Sequence, residues 1–340
     1  ASVISQSRRS RKSSRRGSKN VRQPVLATEA LESRLLLSAS NGSNVFTVNS
    51  ALDNLTPDDG LTTLREAVIA AEADPDASTI TFDAALDGTP ILLTIAGSNE
   101  FASATGDLNV RSDITILGNG VANTVIDAGG PTGINDRVFH VLVTGNLAID
   151  GVTITGGNDT GFSGGGAVRV SNGTSVTITN SKISGNNAVD GGGIAIDVAT
   201  NVVVMNSTIS GNTALSGGGI NNRGTLNLIN STVSENSATT SFGGAGIRNR
   251  YGSTHVTNST ISGNSAPNGS GGGFSIYGGS ASFENSIIAG NTSASGHADV
   301  NGTFGSITGS NNVVLDGNVA GMTGTIAADP LLGPLQDNGG

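Results

Sequence analysis

NSKISGN, at residues 180–186, decides the fold of this chain, because the sequence returns to this motif four more times. The later copies are NSTISGN at 206–212, NSTVSEN at 230–236, NSTISGN at 258–264 and NSIIAGN at 285–291. The first asparagines of successive copies lie 26, 24, 28 and 27 residues apart. A motif that recurs at this period, with loops of variable length, is typical of a solenoid in which each repeat forms one coil.

A second motif, rich in glycine, stands between these copies. It occurs at 164–166, 191–193, 217–219, 243–246 and 271–273. Glycine adopts a positive φ freely, so this motif predicts a tight corner. Runs such as SVTITN and NVVVMN alternate apolar with polar residues, which is the period of a half-buried strand. Each repeat is therefore predicted to contain short strands joined by corners.

The asparagines of the NS motif are predicted to be structural. Asparagine tolerates the left-handed conformation that a corner needs, and stacked asparagines can hydrogen-bond from coil to coil. We expect such a ladder at Asn180, Asn206, Asn230, Asn258 and Asn285. The asparagines that end each copy, at 186, 212, 236, 264 and 291, recur at the next corner.

Composition and charge limit the classes of protein that this chain can belong to. Only 36% of the residues are apolar and 3% aromatic, which suits a stack of small side chains better than a large globular core. Residues 1–40 carry a net charge of +7, from nine Lys/Arg and two Glu, whereas the rest carries −16. The acidic body would repel phosphate groups, so we expect no nucleic-acid partner. No segment reaches the roughly 18 apolar residues of a membrane-spanning helix.

The first 44 residues are predicted to form a disordered basic arm, because they contain the serine-rich, basic segment RRSRKSSRRGSK. Within the arm, ALESRLLLSAS at 30–40 resembles the LEPR-XLL segment of large bacterial surface proteins, with Ser33 at the position of the family's proline. That resemblance implies export to the cell envelope. The alternative is an unrelated amphipathic turn.

Residues 45–87 are predicted to cap the stack. Thr63 and Glu66 have the spacing of a capping box, which predicts a helix from about 63 to 73. Thr62-Thr63-Leu64-Arg65-Glu66-Ala67 resembles the motif of the CSLREA domain, which precedes β-helix repeats in secreted bacterial proteins. The strand FTVNS and this helix would cover the open end of the solenoid.

Residues 88–328 are predicted to form the repeats. ITILGNGVANTVIDAGG, at 114–130, resembles an early coil of a pectate-lyase-like right-handed β-helix. The repeats predict roughly seven to nine coils in total, each of which adds about 4.8 Å to the height of the stack. The paired I-x-x-N and G-G-G-I motifs also resemble the repeat of polymorphic outer-membrane proteins, which implies surface adhesion.

DPLLGPLQDNGG, at 329–340, resembles the start of a choice-of-anchor Q tail. The predicted fold is all-β, a right-handed parallel β-helix with a short N-terminal helix.

Strand alternation predicts one stripe of outward-facing residues after the glycine corners. If Val168, Ile194 and their equivalents point inward, the residues one and three places later point outward. The stripe that this register predicts contains Arg169, Asp197, Arg223, Arg248, Arg250 and Tyr277. Guanidinium groups beside an aromatic ring suit an acidic polysaccharide, because arginine binds carboxylates bidentately. The alternative is an ordinary polar outer surface.

The sequence predicts no catalytic residue, no metal site and no cofactor. His255 lies in the strand after Arg250, whereas His140 and His297 are isolated from one another, and no catalytic pair is fixed by the sequence. The repeat is interrupted mainly by changes of length rather than by catalytic residue types. The acidic loops at 56–60 and 74–76 either are solvated or bind calcium loosely. We therefore expect a non-enzymatic, secreted or cell-surface bacterial protein that acts in adhesion, envelope structure or carbohydrate contact. The alternative is a polysaccharide lyase or hydrolase on the same scaffold.

Overall fold

The structure is a computed structural model that describes residues 44–333, except 57–58, 98–100, 162–163, 295, 303 and 318–319. The predicted basic arm, apart from Asn44, lies outside the described residues, and so do positions 334–340 of the predicted tail.

The chain winds as a right-handed parallel β-helix, so the predicted fold class is confirmed. Successive strands pass through four parallel sheets, in the order A, B, D and C along each full coil. Sheet A has eleven strands: Asn44–Val48, Ser78–Phe82, Asp113–Leu117, Asn146–Asp150, Ser175–Thr179, Asn201–Met205, Thr225–Ile229, Ser253–Thr257, Ser280–Glu284, Ser306–Ser310 and Met322–Thr323. Sheet B has nine: Ile91–Leu92, Val125–Asp127, Thr153–Thr155, Lys182–Ser184, Thr208–Ser210, Thr232–Ser234, Thr260–Ser262, Ile287–Ala289 and Val313–Val314.

The other two sheets form the side of the β-helix that carries the predicted stripe. Sheet C has eight strands: Leu108–Val110, Phe139–Val141, Val168–Val170, Ile194–Ile196, Ile220–Asn222, Ile247–Asn249, Phe274–Ile276 and Val300–Asn301. Sheet D has six: Asn158–Asp159, Asn187–Asp190, Thr213–Ser216, Ser237–Ala238, Ser265–Ala266 and Thr292–Ser293. The glycine motifs form the corner between sheets D and C, and Gly191, Gly217 and Gly271 there have φ of 61°, 63° and 64°.

The NS motif forms the corner between sheets A and B. Its asparagines all have positive φ, between 46° and 51°. The serine that follows is buried, and its Oγ accepts a hydrogen bond from the backbone of the preceding coil, as from Ser181 N to Ser207 Oγ at 3.1 Å. The NS dipeptide therefore supplies first the left-handed corner and then a serine ladder through the stack.

The continuous asparagine ladder lies at the next corner rather than at the predicted one. Asn186 Nδ2 donates to Asn212 Oδ1 at 2.9 Å, and the same bond recurs through Asn236, Asn264 and Asn291. Asp299 accepts the last of these bonds. Among the asparagines predicted to form the ladder, the side-chain bonds within the described chain join only Asn180, Asn206 and Asn230, at 3.4 Å. Their side chains are exposed at the corner, so water competes for them.

Stacked aliphatic side chains fill the interior. The inward residues of sheets A, B and C are buried in every full coil, as in the column Ile183, Ile209, Val233, Ile261 and Ile288. Phe274 and Phe283 pack edge to face with ring centroids 5.0 Å apart near the C-terminal end. Coil-to-coil burial of this kind joins the interior of all coils into one continuous, narrow core.

The helix Leu64–Ala73 packs against the first strands of sheets A and C. Thr63 and Glu66 form both hydrogen bonds of a capping box. The helix buries Leu64, Ala67 and Val68, and also Arg65, whose guanidinium binds Asp53. Two short 3-10 helices, Ala84–Leu86 and Gly130–Thr132, complete the early coils.

Candidate functional site

The outward residues of sheet C form two columns along the β-helix. The first column runs through the middle of the strands and contains His140, Arg169, Ala195, Asn221, Arg248 and Ser275. The second follows directly after the strands, where each residue donates its backbone N–H to the preceding coil, and contains Ser171, Asp197, Arg223, Arg250 and Tyr277. The register therefore places all six residues of the predicted stripe on one face.

A cleft of about 230 Å³ opens on this face above Ala195. Arg169 and Asn221, the neighbours of Ala195 in its column, line the cleft, and Asp197 and Arg223 of the second column line it too. Asp190, from the end of a sheet D strand, completes the opposite wall. Ala195 has no side chain beyond Cβ, whereas its neighbours do, so this one small residue leaves the space open.

The charges in the cleft are paired. Arg169 Nη2 donates to Asp197 Oδ2 at 2.6 Å, and Arg223 Nη2 lies 3.7 Å from Asp190 Oδ2. Burial lowers the pKa of Arg169 from its ordinary value, while the attraction of Asp197 opposes this shift. The two guanidinium groups are therefore held by carboxylates of the same protein rather than left as a row of free cations.

Two buried polar atoms at the cleft have no hydrogen-bond partner among the described residues. They are Asn221 Oδ1 and Arg223 Nε. Asn221 is only 3% exposed and belongs to the lining of the cleft. Buried polar groups are nearly always paired, so an unpaired acceptor and donor in one cleft point to a position that water or a ligand occupies.

Arg248 departs from its expected exposure, because it is only 6% exposed. Its guanidinium lies 5.0 Å from the ring centre of Phe242, a residue of the loop between sheets D and C. Arg248 Nη1 also donates to Ser216 Oγ at 2.9 Å, and Ser216 in turn hydrogen-bonds Asp190. Burial lowers the pKa of Arg248. This arginine links the two sheets and does not present its charge to solvent.

An aromatic cluster continues the face toward the C-terminal end. The rings of Tyr251 and Tyr277 have centroids 5.6 Å apart, and those of Tyr277 and Phe304 lie 5.4 Å apart. The three residues are 65%, 48% and 66% exposed. Arg250, half-buried below Tyr277 in the second column, makes no ion pair or side-chain hydrogen bond within the described residues. A shallow depression of about 350 Å³, lined by both Arg223 and Tyr251, joins this cluster to the cleft.

A second polar cluster lies on the same face toward the N-terminal end. Arg137 Nη2 donates to Asp159 Oδ2 at 3.0 Å, and His140 Nε2 lies 2.9 Å from Ser171 Oγ. His140 Nδ1 lies 3.5 Å from Arg137 Nη1 and 3.8 Å from Asp107 Oδ2. Burial, followed by the charges of Arg137 and Arg169, lowers the pKa of His140 to about 3. The imidazole is therefore neutral at neutral pH.

Sequence reasoning placed the stripe but missed several residues that shape it. Tyr251 and Phe304 stand 26 residues before and 27 residues after Tyr277, which is the repeat period, and that spacing was the available signal. Asn221 and Ser171 belonged to the predicted register but not to the predicted site. Asp190 could not be paired with Arg223 from spacing alone, because the two residues come from different sheets and different coils.

Within the described ranges, no group of three or more His, Cys, Asp or Glu side chains is arranged to hold a metal ion. None of the helices in this part of the chain has the length and apolar character needed to cross a bilayer.

One family model matches the chain. It is described as a right handed beta helix region, and it covers residues 114–293, which is more than half of the 340 residues. No curated protein matches the chain.

Proposed function

The chain belongs to the right-handed β-helix family, and we propose that it is a non-enzymatic, secreted or cell-surface bacterial protein that contacts glycans through the outer face of sheet C. The observation that carries this proposal is the exposed cluster of Tyr251, Tyr277 and Phe304 beside Arg250. Adhesion and a structural part in the cell envelope are the roles that such contact would serve.

The aromatic cluster is unusual for this chain, which has only eleven aromatic residues in total, from nine Phe and two Tyr. Both tyrosines lie in the cluster, and all three rings are largely in solvent. Exposed aromatic patches rimmed by polar residues mark binding surfaces, and a tyrosine ring offers an apolar face together with a hydroxyl group. A sugar ring presents the complementary combination of C–H faces and hydroxyl edges.

The shape of the face supports an extended ligand. The cleft above Ala195 and the aromatic cluster lie in successive coils along the axis of the β-helix, and the depression runs beside both at the corner between sheets C and A. Solenoids bind through extended surfaces of this kind because each coil adds one set of outward side chains. A polymer chain lying along the axis would contact all three in sequence.

The state of His140 favours contact without catalysis. A general base must take up a proton, and a pKa of about 3 makes His140 a poor proton acceptor at neutral pH.

A polysaccharide hydrolase or lyase is the second candidate, and one observation favours it. Asp190 and Asp197 line the same cleft from adjacent sheets, and paired carboxylates are what glycoside hydrolysis uses. Each of these carboxylates is already paired with an arginine of the cleft, however.

The test is affinity electrophoresis of the 340-residue chain through gels that contain neutral or acidic polysaccharides. We expect retardation on at least one polysaccharide, and we expect Tyr251→Ala with Tyr277→Ala to weaken it about thirtyfold, the size typical of a central aromatic contact. Phe101→Ala, which removes an exposed ring outside this face, is the matched control and should leave retardation unchanged. Absence of retardation on every polysaccharide would contradict the proposal, and release of shorter or unsaturated product would favour the enzyme.

A further inference from the structure

We infer that the cleft above Ala195 binds one ring of a neutral, hydroxyl-rich glycan. This inference rests on the proposed function, since it names the class of sugar that one part of the face accepts. It differs from the acidic polysaccharide expected from the arginines of the sequence.

The size of the cleft suits a single ring. Its volume of about 230 Å³ corresponds to roughly seven or eight water molecules at ~30 Å³ each. The cleft is bounded along the axis by Arg169 in one neighbouring coil and Asn221 in the next, so it is a compartment one coil high. Ala195 is the floor of this compartment.

The free polar atoms select the chemistry of the ligand. Asn221 Oδ1 needs a donor and Arg223 Nε needs an acceptor, and both are buried without a partner among the described residues. A sugar hydroxyl both donates and accepts, so vicinal hydroxyl groups satisfy both atoms. A carboxylate or sulfate only accepts, so it would leave Asn221 Oδ1 unpaired at a cost of about 1–3 kcal/mol.

The charges of the residues that line the cleft also favour a neutral ligand. The lining contains two arginines and two aspartates, paired as Arg169 with Asp197 and Arg223 with Asp190, so the charges of these four residues cancel. An anionic group inside would approach the carboxylates of Asp190 and Asp197. Carboxylates are good acceptors for sugar hydroxyl groups, whereas they repel an acidic substituent.

The remaining arginines do not reverse this preference. Arg248 is buried under Phe242 and is not part of the cleft lining. Arg250 lies on the side of the aromatic cluster and is not part of the lining either. A positive charge is therefore available along the face, but outside the compartment above Ala195.

The experiment compares neutral and acidic tetrasaccharides by titration calorimetry with the complete chain, using cellotetraose, mannotetraose and tetragalacturonic acid as probes. Ala195→Leu fills the compartment, and we expect it to weaken binding of the preferred neutral probe at least tenfold. Ala148→Leu, which adds the same side chain to an outward position of sheet A, is the matched control and should leave binding unchanged.

A second variant separates binding from folding. Asn221→Leu removes the acceptor that has no partner in the protein, so it should weaken neutral-sugar binding at least tenfold without lowering the free energy of unfolding. A purely structural asparagine would give the opposite pattern, a less stable protein with unchanged affinity.

The outcomes distinguish this inference from the proposed function. If the unmodified chain binds a neutral probe and both variants weaken that binding, the inference is supported. If the chain binds glycans but Ala195→Leu has no effect, or if only tetragalacturonic acid depends on Ala195, the inference is wrong and the proposed function remains. If the chain binds no polysaccharide in the electrophoresis described above, the proposed function itself fails.

Discussion

Arg65 binds Asp53 through two hydrogen bonds, Nε to Oδ1 at 2.6 Å and Nη2 to Oδ2 at 3.1 Å, and neither side chain is exposed to solvent. Arg65 also donates to the backbone oxygens of Ser103 and Gly106, while Asp53 accepts from the amides of Thr94 and Ile95. This pair therefore ties the capping helix to the first coils of the β-helix.

We expect Arg65→Met to lower the free energy of unfolding by about 3–5 kcal/mol, because it leaves the Asp53 carboxylate buried without its partner. Urea unfolding followed by circular dichroism measures the loss. Arg111→Met, at an exposed position of the same region, is the control and should change the free energy by less than about 0.5 kcal/mol. Equal effects of the two substitutions would contradict the assignment of Arg65 to the cap.

The two sets of asparagines in each repeat should respond differently to alanine. Asn236→Ala removes the acceptor of Asn212 N and Asn212 Nδ2, both buried, and should cost about 2–6 kcal/mol. Asn230→Ala changes only an exposed corner with φ of 48° and should cost about 1–2 kcal/mol. Urea midpoints at constant m-value provide the comparison. A larger loss of stability for Asn230→Ala than for Asn236→Ala would contradict the assignment of the main ladder to the corner of Asn236.

His140 should make the folded protein sensitive to acid. Its pKa is about 3 in the folded state, against about 6.5 for an unfolded histidine, so between these values the unfolded chain binds the additional proton. The stability that the neutral imidazole contributes is complete above pH 6.5 and decreases toward pH 3, by at most about 1.4 kcal/mol per pH unit.

His140→Gln removes this dependence. As the pH is lowered from 7 to 4, we expect the free energy of unfolding of the unmodified protein to decrease more than that of the variant. Urea unfolding at each pH measures both values. His255→Gln, at an exposed histidine of sheet A, is the control for the loss of an imidazole. Parallel pH curves for the protein and the His140 variant would show that folding does not lower the pKa of His140.

Gly278 determines the position of the Tyr251 ring. A Cβ at this residue would lie 2.5 Å from Tyr251 Cδ1, and Gly278 has φ of 90°, which other residues rarely adopt. Gly278→Ala should therefore displace the ring and weaken glycan retention without removing any aromatic side chain. Gly211→Ala, at a positive φ with open space around its Cβ, controls for the backbone strain alone. Equal retention by both variants would show that the ring position is irrelevant to binding.

The sequence was sufficient to predict the β-helix because the features that define it are local and repeated. Alternation within five-residue strands, asparagine at a left-handed corner and glycine before sheet C each follow from the conformational preferences of one residue type. The capping box of Thr63 and Glu66 is predictable for the same reason, since the two residues stand three apart in one helix.

The site was less predictable because its contacts cross between coils and sheets. Register alone placed Arg169 and Asp197 on one face, but their ion pair joins neighbouring coils diagonally and depends on side-chain reach. Arg248 was expected outward, and it does leave the interior of the β-helix. Phe242, from a loop whose path no repeat predicts, then covers it. The sequence therefore identified the face, whereas the distribution of free and paired charges on it required the structure.

The spacing of the two corners assigns different roles to different parts of each coil. The first and last asparagines of the repeated motif are six residues apart in all five copies, whereas 18 to 22 residues separate the last asparagine from the first of the next copy. The part of each coil between these two corners therefore has the same length in all five repeats. Among these five repeats, the differences in length fall in the loops on either side of sheet C. The face proposed to contact glycans is therefore also the part of the coil in which these five repeats differ most in length.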